Sequence, residues 1–184
     1  MKTNKIIIRK GKPADLPHAL SLIKELAVYE KAPHEVSVGL EEMKELGFGR
    51  KKIFHFFVAE KNNKVIGLAL YYFKYSTWKG RCLYLDDIIV TEKERGAGVG
   101  KLLFDKVAQI AKKENVRRME WQVLNWNKPA INFYQKMPVI LDDAFAFYDD
   151  KRLESVIKWL SRQKKQVIIL SCHSREAKLL EHLV

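Results

Sequence analysis

The sequence predicts an α/β protein with a mixed, mostly antiparallel central sheet flanked by helices, and two observations predict it. Residues 53–60 and 65–75 are rich in β-branched and aromatic side chains and are joined by a good hairpin turn, Lys61-Asn62-Asn63-Lys64. An apolar strand is followed by a glycine-rich turn and then by an amphipathic helix. From about Met137 onward the sequence departs from this pattern, and there we predict an atypical strand, helix, strand and helix.

The N-terminal elements are predicted by local pattern. Residues 6–9 are typical of a short strand. An apolar face at helical spacing follows, formed by Leu16, Ala19, Leu20, Ile23, Leu26 and Ala27. Asp15 is a candidate cap for this first helix. A second helix is predicted over residues 40–46, because Gly47 and Gly49 come after it.

The central elements surround the glycine-rich turn. Residues 82–91 predict a third strand of the sheet, and residues 101–113 predict a helix. The turn between them reads Arg95-Gly96-Ala97-Gly98-Val99-Gly100. A strand, a glycine turn and a helix direct several backbone N–H groups to one point at the positive end of a helix dipole, and such a corner binds phosphate. A strand over residues 118–124 and a helix over residues 128–136 follow.

A P-loop is excluded for the same glycines. That motif requires G-x-x-x-x-G-K-[ST]. Here the residue five before Gly100 is Arg95, and Lys101 is followed by Leu102 rather than by a hydroxyl residue. Nucleotide hydrolysis at this turn is therefore excluded.

The net charge of +12 is concentrated in the N-terminal part of the chain. Residues 1–136 contain 26 Lys and Arg against 15 Asp and Glu, whereas residues 137–184 contain 8 against 7. A basic surface attracts polyanions such as nucleic acid or a phosphorylated cofactor, although a solvated surface is the simpler explanation. The lysines are scattered without a basic helix or a nucleic-acid module, so no nucleic-acid partner is expected.

Composition indicates the class of protein. A chain of 184 residues that is 47% hydrophobic and 30% charged is typical of a folded domain with one buried core. No apolar run approaches the roughly 18 to 20 residues of a membrane span, and no secretory signal is visible. Cys82 and Cys172 lie far apart, and the five histidines have no metal-ligand spacing. We expect a reduced, cytoplasmic, metal-free protein without a membrane partner.

The glycine turn and several further segments carry a resemblance to a known family. Arg95, Gly98 and Gly100 meet the pattern Gln/Arg-x-x-Gly-x-Gly/Ala between the expected strand and helix, which resembles the acetyl-CoA loop of the GNAT family of N-acetyltransferases. Four segments resemble its spermidine/spermine (diamine) acetyltransferase branch, namely residues 22–30 (LIKELAVYE), 47–49 (GFG), 71–73 (YYF) and 126–134 (WNKPAINFY). The resemblance covers about residues 5–136 and implies acetyl-CoA as co-substrate, with no metal.

The chemistry that the resemblance implies requires a base. Acetyl transfer from a thioester needs a neutral amine, and an alkylammonium has a pKa of about 10.4. Asp86 and Asp87, at the end of an apolar strand, are candidates to take its proton and to attract a cationic substrate. The resemblance places Asp86 at the position of the base, where relatives usually carry Glu. Because the Asp side chain is one methylene shorter, a bridging water is favoured.

The resemblance assigns further residues by their positions. Tyr134 matches the general acid, whose phenol suits donation to a leaving thiolate. The pantetheine would be held by the backbone of Ile88, Ile89 and Val90, the pyrophosphate by Arg95, Gly96, Ala97, Gly98, Val99, Gly100 and Lys101, and the rest of the CoA arm by Asn127, Lys128, Pro129 and Ala130. The positions around the amine are Tyr29, Glu30, Trp78, Asp86 and Asp87.

Each assignment has a structural alternative. The glycine turn alone is equally typical of a plain connection between strand and helix. Asp86 and Asp87 are also compatible with the end of a strand, and Tyr134 with a core position on a helix. Tyr29 and Glu30 are equally typical of a helix terminus, and Trp78 is compatible with a cap on the hydrophobic end of a hairpin.

Residues 137–184 depart from the family, whose members continue with a glycine-led turn and two antiparallel strands that complete the sheet and help form a homodimer. Here we expect apolar strands over residues 139–141 and 167–170, which could extend the same sheet, and a helix over residues 152–162. The first strand ends in Asp142-Asp143 and the second leads to His173, which resembles the C-terminal lobe of an SMC-type ABC ATPase. We interpret the segment as foreign or rearranged, without ATPase function because no P-loop is present, and we expect impaired dimerisation.

These observations favour an acetyl-CoA-dependent N-acetyltransferase that acts directly on a primary amine of a small polyamine, diamine or related compound. The main alternative is a non-catalytic CoA-binding module, in which the altered C-terminal segment distorts the cleft around Tyr134. A nucleotide-hydrolysing protein is a third class, and it would require a P-loop from another chain.

Overall fold

A five-stranded sheet lies at the centre of the N-terminal part of the protein. The structure, a computed structural model, describes residues 5–137, 139–142, 158 and 167–170. It divides into two compact units, Met1–Gln122 and Val123–Val184. The region of family resemblance, expected over about residues 5–136, therefore covers the first unit and the beginning of the second.

The sheet is mixed and mostly antiparallel, as predicted. Its strands, in spatial order, are β1 (Ile6–Lys10), β2 (His55–Lys61), β3 (Lys64–Ser76), β4 (Gly80–Val90) and β5 (Arg118–Glu120). The first four strands pair antiparallel with their neighbours, whereas β5 runs parallel to β4. The hairpin turn between β2 and β3 is confirmed, because Asn62 and Asn63 have positive φ values of 51° and 61°, as a type I′ turn requires.

Helices cover both faces of the sheet. They are α1 (Leu16–Tyr29), α2 (Leu40–Phe48) and α3 (Val99–Lys113). The face under α1 and α2 holds a buried cluster of Leu16, Ala19, Leu22, Met43, Phe56, Val58, Leu68, Leu70 and Ile89. On β3, Gly67 occupies a position on the opposite face of the sheet, under α3, since side-chain positions alternate along a strand. A Cβ at Gly67 would lie 3.1 Å from Leu103 Cδ1, so glycine there lets α3 approach the sheet closely.

A β-bulge interrupts the pairing of β3 with β4 at Asp86. Leu70 pairs with Asp87 and Tyr71 pairs with Leu85, so Asp86 has no partner on β3. A bulge bends the strand that carries it and re-aims the local side chains. On its other edge, β4 pairs with β5 only over residues 82–84, before the bulge. The strand predicted over residues 118–124 therefore ends at Glu120.

Two further predictions are corrected near the N-terminus. Asp15 holds the N-cap position of α1, but its side chain does not cap the helix. The N-cap oxygen usually accepts from the second or third residue of a helix, and the second here is Pro17, which has no N–H. The Asp15 carboxylate instead accepts from the Arg9 guanidinium at 2.7 and 2.9 Å and from the Lys12 N–H at 2.8 Å.

The second helix runs two residues further than predicted, because Gly47 lies inside α2 instead of ending it. A Cβ at Gly47 would lie 2.8 Å from the ring of Phe54, so this glycine makes room for an aromatic side chain. Gly49 follows as the C-cap residue, and its N–H donates to the Glu45 carbonyl at 2.8 Å.

The second unit contains α4 (Lys128–Tyr134) and two strands, β6 (Val139–Asp142) and β7 (Val167–Leu170). The expectation that these strands extend the five-stranded sheet is wrong, because β6 and β7 pair with each other, in parallel, as a separate two-stranded sheet. The helix predicted over residues 152–162 lies outside the described residues except for Lys158, which is helical. Asp143, Cys172 and His173 also lie outside them.

Candidate active site

Three carboxylates come together where α1 ends beside the bulge of β4. Glu30 follows the last residue of α1, and Asp86 and Asp87 lie in β4. Burial, followed by the negative charges of Asp86 and Glu30, raises the pKa of Asp87 to about 6. Partial desolvation by the surrounding protein also raises the pKa of Glu30 and of Asp86, although Asp86 as a whole residue is exposed. The cluster therefore attracts a cation and holds carboxylates that are better proton acceptors than ordinary ones.

The glycine turn has the backbone conformation of an anion-binding corner. Gly96 and Gly98 have φ values of 83° and 78°, in the left-handed region that favours glycine. A Cβ at either position would meet no atom within 4 Å, so the requirement for glycine is conformational rather than steric. Gly98 is the N-cap of α3, which is 15 residues long. The first N–H groups of α3 thus point out of an exposed turn at the positive end of the helix dipole.

A hydrogen-bonded anchor joins this turn to α1. The Glu25 carboxylate accepts from the Thr91 hydroxyl at 3.0 Å and from the Glu92 N–H at 2.9 Å. The Arg95 guanidinium donates through Nε to the Val90 carbonyl at 2.9 Å and stands 5.1 Å above the ring of Tyr29. The Arg95 side chain thus braces the turn, and Tyr29 supports it.

Glu25 was not among the predicted site residues. Its partners lie 66 and 67 positions further along the chain, a separation that local pattern does not reveal. The one available signal is its spacing to Tyr29, since residues four apart share a helix face.

Within the described part of the chain, the outer edge of β4 is unpaired beyond the bulge. Pairing with β5 stops at Tyr84, so among the described residues no strand covers the edge from Asp86 to Val90. Such an edge can add an extended chain of amide groups through main-chain hydrogen bonds. Ile88, Ile89 and Val90, predicted to hold a pantetheine arm, lie on it.

A pair of tyrosines lies on the same face of the sheet as α1. The rings of Tyr72 and Tyr84 are 5.3 Å apart, and Lys74 Nζ stands 5.0 Å from the centre of the Tyr84 ring. Burial and the negative charge of Asp86 raise the pKa of both tyrosines. A cavity of about 320 Å³ is lined by Lys74, Tyr84, Met119, Glu120, Trp121 and Gln122. The pairing of the two tyrosines could be predicted from the sequence, because Tyr72 and Tyr84 are equally distant from the centre of the β3–β4 hairpin.

Trp78 lies at the tip of the hairpin between β3 and β4, where it is 80% exposed. From Gly80 to Asp86 the strand rises roughly 20 Å at about 3.3 Å per residue. The structure therefore does not bring Trp78 together with the three carboxylates of its own chain.

The predicted residues of the second unit lie on α4. Asn127 is buried and is the N-cap of α4, where its side-chain oxygen accepts from the Ala130 N–H at 3.1 Å. Lys128 and Pro129 form the first turn. Tyr134 is the last residue of α4, and its ring lies 5.1 Å from that of Phe133. Asn127 thus fixes the beginning of this short helix.

Two negative findings concern the described part of the chain. No group of three or more His, Cys, Asp or Glu residues within it is arranged to hold a metal ion. None of its helices combines the length and the apolar character that crossing a bilayer demands.

A mixed sheet with a bulged fourth strand, an open edge beside the bulge and a glycine turn that starts α3 defines the class of GNAT-like acetyltransferase folds. Residues 21–137 match the model of the acetyltransferase (GNAT) family. The chain belongs to this family and is an N-acetyltransferase.

Known proteins resemble the chain over the same region. It is 39% identical over 140 residues to a thialysine N-ε-acetyltransferase of Bos taurus, which covers 72% of this chain and 82% of the relative. It is 34% identical over 134 residues to the human spermidine/spermine N(1)-acetyltransferase-like protein 1, covering 69% of this chain and 19% of the relative.

A solved structure shows the same fold. An aminoglycoside acetyltransferase from an uncultured soil metagenomic sample, in complex with sisomicin, superposes with a TM-score of 0.61 over 73% of this chain and 88% of its own, at 20% identity. The resemblance of residues 137–184 to an ABC ATPase is not supported by these comparisons.

Proposed function

We propose that this protein transfers an acetyl group from acetyl-CoA to a primary amine of a small diamine, polyamine or related amine. The observation that carries the proposal is the cluster of Glu30, Asp86 and Asp87 at the bulge of β4, next to an open strand edge. Relatives named for acetylating thialysine and for the spermidine/spermine class support it.

The residues present fit acetyl-CoA. The exposed turn over residues 95–101 offers backbone N–H groups at the start of α3, which suits a pyrophosphate. The edge at Ile88, Ile89 and Val90 suits the amide groups of pantetheine. Arg95 would contribute its backbone, since its side chain already contacts Val90 and Tyr29. By resemblance, residues 127–130 would hold the rest of the CoA arm.

When bound, acetyl-CoA supplies an acetyl thioester that a neutral amine can attack. Asp87 and Glu30 attract the ammonium form of the substrate by charge. Asp86 takes its proton, directly or through one water, because the bulge turns this exposed carboxylate away from the β3 ladder. Tyr134 would hold a proton at its phenolic oxygen for the leaving thiolate.

The test is to incubate the protein with acetyl-CoA and a panel of small amines and to follow free thiol. Thiol release that requires both the protein and an amine supports the proposal. If the protein bound CoA but released no thiol with any amine of the panel, the result would contradict the proposed acetyl transfer and would favour the non-catalytic CoA-binding module.

Asp86→Asn should lower kcat by roughly 100-fold or more, which is the usual contribution of a general base. Affinity for CoA, measured by calorimetry, should not change, because the substitution removes a proton acceptor and leaves the glycine turn intact. Glu41→Gln, at an exposed position in the first turn of α2, is the matched control and should retain full activity. An unchanged rate in Asp86→Asn would remove Asp86 from the mechanism.

A further inference from the structure

The segment between β4 and α3 is attached to the sheet near its beginning. The Thr91 N–H donates to the Ile66 carbonyl of β3 at 2.9 Å, and the Glu94 carboxylate pairs with Lys61 at the end of β2 at 2.7 Å. These contacts fix the segment to the sheet. They do not determine how it lies relative to α1, the helix that ends beside the carboxylates at the bulge.

The Glu25 carboxylate connects the same segment to α1. One of its oxygens accepts from the Thr91 hydroxyl at 3.0 Å and the other accepts from the Glu92 N–H at 2.9 Å, so both oxygens are used. Hydrogen bonds to an ionised acceptor are the stronger kind. Glu25 and Glu30 belong to one helix and its C-cap. The contact therefore sets where Glu30 stands relative to the segment that leads into the glycine turn.

The charge of Glu25 shows which of its properties can serve an anionic ligand. A carboxylate near an expected pyrophosphate site opposes that ligand by charge. It also offsets a neighbouring cation, because Arg95 Nη2 stands 3.8 Å from Glu25 Oε1. Any favourable contribution of Glu25 to cofactor binding must therefore come from its two hydrogen bonds and not from its charge.

On the basis of the proposed function, we propose that Glu25 is a positioning residue for acetyl-CoA. It acts through the segment that leads into the glycine turn, which it holds so that the first N–H groups of α3 are directed at the pyrophosphate. Without this anchor the segment occupies other positions, and the apparent affinity falls with the fraction of molecules whose turn is in place. Since bound cofactor itself selects that position, saturating acetyl-CoA largely restores the rate.

Two substitutions separate the hydrogen bonds of Glu25 from its charge. Glu25→Ala removes both bonds, and the dissociation constant of CoA, measured by calorimetry, should rise about tenfold, as for a turn in place in about a tenth of the molecules. Glu25→Gln removes the charge and keeps both bonds, because its amide oxygen can accept from the Glu92 N–H and its amide nitrogen can donate to the Thr91 hydroxyl. Its dissociation constant should equal that of the wild type or be lower.

Steady-state kinetics and the partner residue give further readouts. In Glu25→Ala the KM for acetyl-CoA should rise about tenfold, while kcat falls by less than about threefold. Thr91→Val should weaken CoA binding in the wild-type background but not in Glu25→Ala, because the two side chains act through one hydrogen bond. Thr91→Ser keeps the hydroxyl and should bind CoA like the wild type.

Lys24→Ala is the matched control, since it truncates the preceding, exposed residue of α1 to the same side chain. It should leave the dissociation constant of CoA unchanged. Unchanged or tighter binding in Glu25→Ala, or equal weakening in Glu25→Ala and Glu25→Gln, would overturn the proposal. Thr91→Val and Thr91→Ser decide the same question if Glu25→Ala fails to fold. Calorimetry requires no turnover, so a protein that binds CoA without acetylating amines would count against the proposed function alone.

Discussion

Asp86 and Asp87 are neighbours in the sequence but have different environments, and the β-bulge is the reason. Asp87 keeps its place opposite Leu70 and is half-buried beside Glu30, whereas Asp86 is the extra residue of the bulge and is exposed. Asp87 is therefore suited to attracting a cationic amine by its charge, and Asp86 is suited to contacting the reacting amine.

Asp87→Asn should stabilise the protein at neutral pH. The pKa of Asp87 is raised from 3.8 in the unfolded chain to about 6 in the folded protein. The stability that the protonated Asp87 carboxyl contributes is therefore complete below pH 3.8 and is lost as the pH rises through about 6. At about pH 7.5 the wild type ionises a half-buried carboxyl that Asn replaces with a neutral group, and the gain should reach up to about 3 kcal/mol. Urea unfolding measures it.

The gain should shrink as the pH falls towards about 4, where wild-type Asp87 is itself protonated. Asp105→Asn is the control, because this carboxylate pairs with Lys101 on the surface of α3 and its loss should destabilise by roughly 0.5 kcal/mol or less. A pH-independent difference between Asp87→Asn and the wild type, or a less stable variant at neutral pH, would contradict the assigned environment.

At the scale of residues, the sequence can predict the site where the signal is local. Gly96 and Gly98 were predicted from one turn, and both have the positive φ that makes glycine necessary. Glu25 could not be predicted, because its role depends on contacts with Thr91 and Glu92 across the fold. Trp78 lies at the end of a hairpin, as its structural alternative predicted, whereas its distance from the carboxylates follows from strand register and could not be predicted.

Two independent features fix the conformation of the turn before α3. Left-handed glycines allow its backbone to reverse direction, and the Glu25 carboxylate fixes its first residues to α1. Since Glu30 directly follows α1, one helix positions both the expected phosphate corner and a carboxylate of the amine site. Geometry at the two ends of the site is thereby coupled through α1.

Gly98→Ala should weaken cofactor binding. A left-handed conformation costs a residue with Cβ roughly 1–2 kcal/mol, and Gly98 has a φ of 78° at the N-cap of α3. The turn should shift to relieve this strain, which would move the first N–H groups of α3 and raise the KM for acetyl-CoA by about tenfold. Steady-state kinetics with acetyl-CoA as the varied substrate measures this change.

Gly39→Ala is the control for this prediction. Gly39 is the N-cap of α2, with a φ of −104° and no atom within 4 Å of an added Cβ. Alanine there should leave the KM for acetyl-CoA unchanged. If Gly98→Ala behaved like Gly39→Ala, the conformation of the turn would not matter for cofactor binding.

At the scale of elements, periodic segments were predictable and long-range pairing was not. The helices α1 and α3 and the β2–β3 hairpin each have their signal within one segment, and the structure contains them. The length of β5 depends on where β4 bends, and the pairing of β6 with β7 depends on a partner 28 positions away. Apolar strand patterns alone do not name a partner.

The whole molecule combines a strong positive charge with a local negative cluster. The chain has a net charge of +12, most of it in residues 1–136, while Glu30, Asp86 and Asp87 gather at one point. A general positive field attracts a polyanionic cofactor, and the local cluster attracts a cationic amine over a short range. The two substrates of the proposed reaction should therefore respond differently to salt.

Raising the ionic strength from about 10 mM to about 0.1 M shortens the Debye length from roughly 30 Å to about 10 Å and screens the long-range field. The KM for acetyl-CoA should then rise several-fold, because its phosphates lose the attraction of the basic surface, while kcat changes little. S-acetyl-N-acetylcysteamine, a neutral thioester without phosphates, is the matched donor and should show a KM that does not depend on salt. Equal salt dependence for the two donors would mean that the net charge of the chain has no part in cofactor capture.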